Sequence, residues 1–335
     1  MTVTLLSSLT RNSDLDSEPF EIARLSKDHW ATGDFVLGEI TGPKNRPLQF
    51  ELTSGRMVQA LRKDCVIGAF GNRAATLEAA GSWRDISGDS MHAMTSAGLF
   101  GTVTSLSTLI PSVTELNYEG HVIRNGEKVC MSDFTIGSSG KFDVPTVLLV
   151  GTSMSSGKTT TGRLIVHELE RMGKKVIGAK LTGAGRYRDI LSFRDAGANA
   201  IFDFVDAGLP STVEPEDVFR KAIRPLLHHI DSLNPDFLVV EAGASPLEPY
   251  NGTAAIDELG EKNIHCKILC AFDPYAVLGV EKAFGLKPDL VTGPATSTSA
   301  AIELVRNLSG VEGLNVLDPE SLPQLREILT RTLNL

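Results

Sequence analysis

The apolar run VPTVLLV (Val144 to Val150), followed at once by GTSMSSGKT (Gly151 to Thr159), most narrows what this chain can fold into. A short apolar run of this kind suits a strand in the middle of a parallel sheet, where both faces are covered. The residues after it match G-x-x-x-x-G-K-[ST], a pattern with physical meaning where a buried strand precedes it and a helix follows. The second condition is met up to about Met172, with Ile165, Leu169 and Met172 spaced to line one face and Gly173 ending the helix. The glycines let the backbone curl so that successive N–H groups point at phosphate oxygens, and the helix start adds partial positive charge. Gly151, Thr152, Ser153, Met154, Ser155, Ser156, Gly157, Lys158, Thr159 and Thr160 are therefore expected to cradle the phosphates of a nucleotide. In this P-loop Lys158 bridges the terminal phosphates and the Thr159 hydroxyl takes a place on Mg²⁺, with ATP as the expected ligand.

Beyond the loop, KKVIGAKL, DFLVVEAG, CKILCAF and DLVTG are further short apolar runs, separated by patterns such as VFRKAIRPLLHHIDSL and STSAAIELVRNL that suit amphipathic helices. Strand and helix in repeated alternation predict an α/β fold with a doubly wound, mostly parallel sheet. Such sheets bind ligands beyond the carboxyl ends of their strands, which draws attention to Lys180 and Glu241 at two of those ends. A carboxylate there, beside the P-loop strand, can hold Mg²⁺ directly or through water. Lys180 can steady developing negative charge, so Lys158, Lys180 and Glu241 are the expected catalytic groups, and Thr159 and Glu241 the expected metal ligands. The stretch after Lys180 is dense in charge, and Thr182, Arg186, Arg188 and Arg194 are expected to read a small anionic substrate. Asp195 is the expected additional metal or substrate contact.

Before Phe142 the character differs, with short apolar runs cut by turn residues. Asp34 to Ile40, Pro47 to Leu52, Cys65 to Phe70 and Gly101 to Leu106 read as strands, and Asn125-Gly126 as a two-residue hairpin turn. A length of 335 residues exceeds the usual single domain. The expected division is a small β-rich, barrel-like domain over 1–142 and a P-loop domain over 143–335, joined through the Gly/Ser/Pro stretch Thr135 to Pro145.

A formal net charge of -9 argues against a broad basic surface for nucleic acid. No sustained apolar segment suggests a membrane span or a leader, so a cytoplasmic protein is expected. Four cysteines are too few and too scattered for a disulfide framework, and Cys266 and Cys270, in an apolar run, read as core residues rather than metal ligands.

The P-loop, the AKLTG of Ala179 to Gly183 and the VVEAGAS of Val239 to Ser245 resemble the signature segments of dethiobiotin synthetase and its relatives. The resemblance covers roughly Val144 to Leu317, and implies an ATP-dependent, Mg²⁺-assisted activation of a small carboxylate or carbamate, as in a ligase. The sequence departs from that family at Ala242-Gly243-Ala244-Ser245 and in its N-terminal part. The layout and EAGASPLEPYNG (Glu241 to Gly252) are also similar to a two-domain P-loop family that includes a D-glutamate N-acetyltransferase. That similarity implies a CoA thioester as the alternative ligand and N-acyl transfer to an amino acid as the alternative activity. A nucleotide-switched adapter or metal-delivery protein is the third reading, and a homodimer is expected under all three.

Overall fold

The computed structural model describes residues 4–43, 48–110, 112–243 and 245–335. Pro47, at the head of one expected strand, and Ala244, three residues after Glu241 in the sequence, lie outside the described residues. The chain divides into two compact units, the first formed by Met1–Ile136, Ala184–Arg188 and Phe204–Val218, and the second by Gly137–Gly183, Asp189–Asp203 and Phe219–Leu335. A single cut between 142 and 143 therefore needs correction, because the chain re-enters the first unit twice. Ala184 and Ser211 form an isolated bridge between the two returning segments, and the Ser211 hydroxyl donates to the Asn72 carbonyl at 2.5 Å. Composition marks a boundary where the pattern shifts, but it does not register long-range hydrogen bonds of this kind.

In the first unit, β1 (Phe35–Gly42), β2 (Cys65–Phe70), β3 (Ser90–Ala93), β4 (Leu99–Leu106) and β5 (Thr114–Arg124) pair in a closed ring. Around it run β2, β1, β5, β3 and β4, all antiparallel, and a parallel pairing of Leu99 with Ala69 and Phe100 with Phe70 brings β4 back to β2. Closure leaves no exposed edge among these five strands at the seam. Val36, Ile40, Phe70, Phe100 and Leu116 fill the interior together with Trp30 and Tyr118. Asn125 and Gly126 both take positive φ, 52° and 81°, and pair Arg124 with Glu127, the two-residue turn that their side chains favour.

A polar chain centred on His121 is buried in this unit. The Tyr118 hydroxyl lies 2.6 Å from His121 Nδ1, His121 Nε2 lies 3.2 Å from Asp34 Oδ2, and Lys128 Nζ closes on the same oxygen at 2.7 Å. With the Leu25 N–H donating to the Tyr118 oxygen at 3.2 Å, every member has a partner, as buried polar groups require.

The second unit is built on a six-stranded sheet: β6 (Thr146–Gly151), β7 (Val176–Thr182), β8 (Ala200–Asp203), β9 (Phe237–Ala242), β10 (Ile264–Cys270) and β11 (Leu290–Thr292). The order is β8-β7-β9-β6-β10-β11 and every pairing is parallel. Helices α1 (Lys158–Arg171), α2 (Tyr187–Asp195), α3 (Glu216–Ser232), α4 (Gly252–Leu259), α5 (Pro274–Phe284), α6 (Ser299–Ser309) and α7 (Leu322–Leu333) alternate with or follow the strands. All six residues of β6 and of β9, and all seven of β7, are buried, which explains their nearly unbroken apolar sequences. The chain winds from β6 outward to β7 and β8, returns to β9 beside β6, then crosses to β10. That reversal places the carboxyl ends of β6 and β9 side by side, with Leu149 level with Glu241 and Glu241 level with Lys180.

Candidate functional site

Gly151 ends β6 where the loop folds back over it. A Cβ at that position would stand 2.5 Å from Ser156 Oγ and 2.6 Å from Lys158 Nζ, so a side chain there would displace the two loop side chains that close over the strand end. Gly157, at φ 99°, then turns the backbone into α1 from the left-handed region. No side chain caps the start of α1, which leaves its first amides directed out of the helix, as an anion site requires. A second wall of the loop comes from a residue that no motif marks. Gly293, just after β11, has φ 89°, and a Cβ there would come within 2.4 Å of the Ser156 carbonyl oxygen. The only signal in the sequence was a glycine closing the apolar run DLVTG.

Lys158 is buried, and its ammonium donates to the Ser153 carbonyl at 2.8 Å and lies 3.4 Å from Ser156 Oγ. Burial pushes its pKa below the ordinary lysine value. The Thr159 hydroxyl donates to Glu241 Oε2 at 2.8 Å, so the expected metal ligands stand together. A hydroxyl and a carboxylate are hard oxygen donors, and they fit Mg²⁺ held partly by substrate phosphates. Among the described residues no group of three or more His, Cys, Asp or Glu side chains gathers for a metal. Thr152 Oγ1 accepts from the Phe272 N–H at 3.1 Å, tying the head of the loop to the segment after β10. Thr160 is exposed in the first turn of α1.

Lys180 is also buried, and its Nζ lies 2.6 Å from Asp189 Oδ2 and 4.0 Å from Glu241 Oε1. Burial disfavours its charge, but the carboxylates of Asp189 and Glu241 outweigh that and hold the pKa above the ordinary lysine value. Asp189 was not singled out in the sequence; Asp195 was. Asp195 and Arg194 are exposed at the carboxyl end of α2, where Arg194 Nη1 donates to the Asn199 carbonyl at 3.3 Å. The two acids stand six positions apart on the helix, which turns them to different sides, and Asp189 is the one beside Lys180. Thr182 is fully buried, and its hydroxyl donates to the Gly243 carbonyl at 3.0 Å, a contact that fixes the turn after Glu241. Arg186 and Arg188 lie in the segment counted with the first unit, the former partly buried and the latter exposed.

Phe193 anchors this arrangement. A Cβ on Gly162 of α1 would stand 2.3 Å from its ring, and one on Gly178 of β7 would stand 2.6 Å from it. Two glycines thus let one ring lie between the helix that starts at Lys158 and the strand that carries Lys180. Cys266 and Cys270 are buried and unbonded as disulfides, burial pushing the Cys266 thiol up to about 12, in keeping with core residues. No helix among the described residues is long and apolar enough to cross a membrane.

No protein-family model matches the chain, and no curated protein matches it. Among solved structures, HypB from Helicobacter pylori in complex with nickel is 17% identical, over 57% of this chain and 88% of that one, with a TM-score of 0.38. The hydrogenase maturation factor HypB from Archaeoglobus fulgidus is 16% identical, over 57% and 91%, with a TM-score of 0.39. A DUF1611 family protein from Anabaena variabilis is 15% identical, over 58% of this chain and 58% of its own length, with a TM-score of 0.38. In this chain the strand order and the loop after β6 together make the second unit a P-loop nucleoside triphosphatase fold.

Proposed function

We propose that the protein binds a nucleoside triphosphate with Mg²⁺ at the loop Gly151 to Thr159, cleaves its terminal phosphate, and uses the two nucleotide states as a switch. The observation that carries this reading is that the site is closed on itself: Lys158 holds Ser153, Thr159 holds Glu241 and Lys180 holds Asp189. Binding the triphosphate exchanges these contacts for phosphate and metal contacts, a discrete rearrangement on which a switch can be built. Lys158 would meet the terminal phosphates, and Thr159 and Glu241 would hold the metal, whose chemistry is to neutralise charge on the phosphate oxygens. Lys180 would stabilise charge developing in the transition state, since phosphoryl transfer asks mainly for positioning and electrostatics. The nucleotide is ATP in this reading, with GTP as the other purine to be compared.

A second reading keeps the same phosphate chemistry and directs it to a small carboxylate, as the similarity to dethiobiotin synthetase implies. Its support is that Arg186 and Arg188, close in sequence to Lys180, suit an anionic acceptor. N-acyl transfer from a CoA thioester uses the same cradle, because its nucleotide end also carries phosphates. Calorimetry with ATP, GTP and acetyl-CoA, with Lys158→Ala as control, tests the phosphate site. Wild-type binding of Mg·ATP or Mg·GTP with a loss of at least about tenfold in the variant is expected; binding of acetyl-CoA alone would overturn both phosphoryl-transfer readings. Nucleotide-dependent homodimerisation without a small-molecule product is the outcome for the switch, and turnover of a small acid the outcome for the ligase.

A further inference from the structure

We infer that Glu51 is a positioning residue that fixes the backbone of the loop Ala184–Arg188, so that the guanidinium groups of Arg186 and Arg188 stand ready for a small carboxylate or phosphate anion. The inference rests on reading that loop as the anion-binding segment, and it gives the barrel unit a part in ligand recognition.

Glu51 closes the strand Leu48–Glu51 and is fully buried. A carboxylate in that position needs several donors. It has three: Oε2 accepts from Ser8 Oγ at 2.6 Å and from the Tyr187 N–H at 2.7 Å, and Oε1 accepts from the Arg188 N–H at 3.0 Å. Those two amides belong to the first residues of α2, which have no partner inside the helix. Glu51 therefore occupies the start of α2 as an internal anion, and these amides are not offered to a ligand.

The same loop is gripped at two further points. Gly185 packs so closely that a Cβ would lie 2.4 Å from Leu9 Cδ2. Arg11 lays its guanidinium 4.5 Å from the centre of the Tyr187 ring and pairs with Asp206 Oδ1 at 3.3 Å, an oxygen that also takes the Asn12 amide at 2.8 Å. Backbone and tyrosine are thus held, whereas no hydrogen bond or ion pair engages the guanidinium of Arg186 or Arg188 among the described residues. The backbone that carries both arginines is fixed, so the ordering that anion binding requires is confined to their side chains.

The test uses the full-length protein with the phosphate loop filled by Mg·ADP, and glutarate and inorganic phosphate as probes in calorimetry. Glu51→Gln replaces one accepting oxygen with an amide donor that faces an N–H group. It is expected to weaken the probe that wild type binds by about tenfold while Mg·ADP affinity stays within about twofold. In an Arg186→Ala, Arg188→Ala background the same substitution is expected to change probe affinity no further, because Glu51 acts only through those side chains. A purely structural role would instead lower the thermal midpoint in both backgrounds and leave probe affinity at the wild-type value, and that result overturns the inference. Should Glu51→Gln fail to fold, Ser8→Ala removes a single donor and is expected to weaken binding by about twofold to threefold, no change being the contrary result. If wild type takes Mg·ADP but neither probe, the anion reading of the loop falls and this inference with it. Failure to take Mg·ADP overturns instead the reading of the P-loop, a result plainly distinct from the other.

Discussion

Thr159 Oγ1 and Glu241 Oε2 stand 2.8 Å apart, joining the first turn of the loop helix to the end of the neighbouring strand. The hydroxyl has a single proton and gives it to the carboxylate, so its lone pairs remain for a cation. Glu241→Gln keeps the shape of the site but removes the charge. The expected result is a loss of Mg²⁺ dependence in nucleotide binding and a fall in triphosphate hydrolysis of about a hundredfold, measured by phosphate release against Mg²⁺ concentration. Undiminished hydrolysis would remove Glu241 from the metal site.

Lys180 gives a pH prediction with a definite sign. Its pKa in the folded protein is raised above the ordinary lysine value, which lies near about 10.4, so its contribution to stability is complete below that value and is lost as pH climbs through the folded one. Burial alone acts in the other direction. Asp189→Asn removes the nearest countercharge and should bring the titration of Lys180 down. The rate of amine acylation at Lys180, followed by mass spectrometry against pH, should rise at lower pH in the variant than in wild type; identical profiles would show that Asp189 does not hold the charge.

Phe193 lies with no exposed surface between Gly162 and Gly178. Phe193→Ala leaves a cavity bordered by two residues without side chains to fill it, and should destabilise the second unit by about 3–5 kcal/mol. Denaturant unfolding reads the loss, and a change below about 1 kcal/mol would mean that α1 and β7 close over the gap.

Where sequence and structure agree, the information was local. The apolar runs of β6, β7 and β9 mark strands covered on both faces, and the motif between β6 and α1 identifies the phosphate loop from its own spacing. Asn125-Gly126 specifies its turn because both residues accept positive φ. Where the two part, the deciding contacts are distant in the chain. Asp195 was the acid expected from the sequence, and only the direction of α2 brings Asp189 to Lys180 in its place. Gly293 carries no motif, and its importance is that the turn after β11 lies against Ser156.

The sequence by itself therefore determined the phosphate loop, the parallel α/β architecture and the candidate pair Lys180 and Glu241, because periodicity and backbone freedom are properties of neighbouring residues. Tertiary structure alone decided that β9 lies beside β6, that Glu241 meets Thr159, and that Glu51 closes the start of α2 from a strand more than a hundred residues earlier. Strand order and the pairing of a buried charge are set by packing and desolvation across the whole fold, and one-dimensional spacing carries no measure of either.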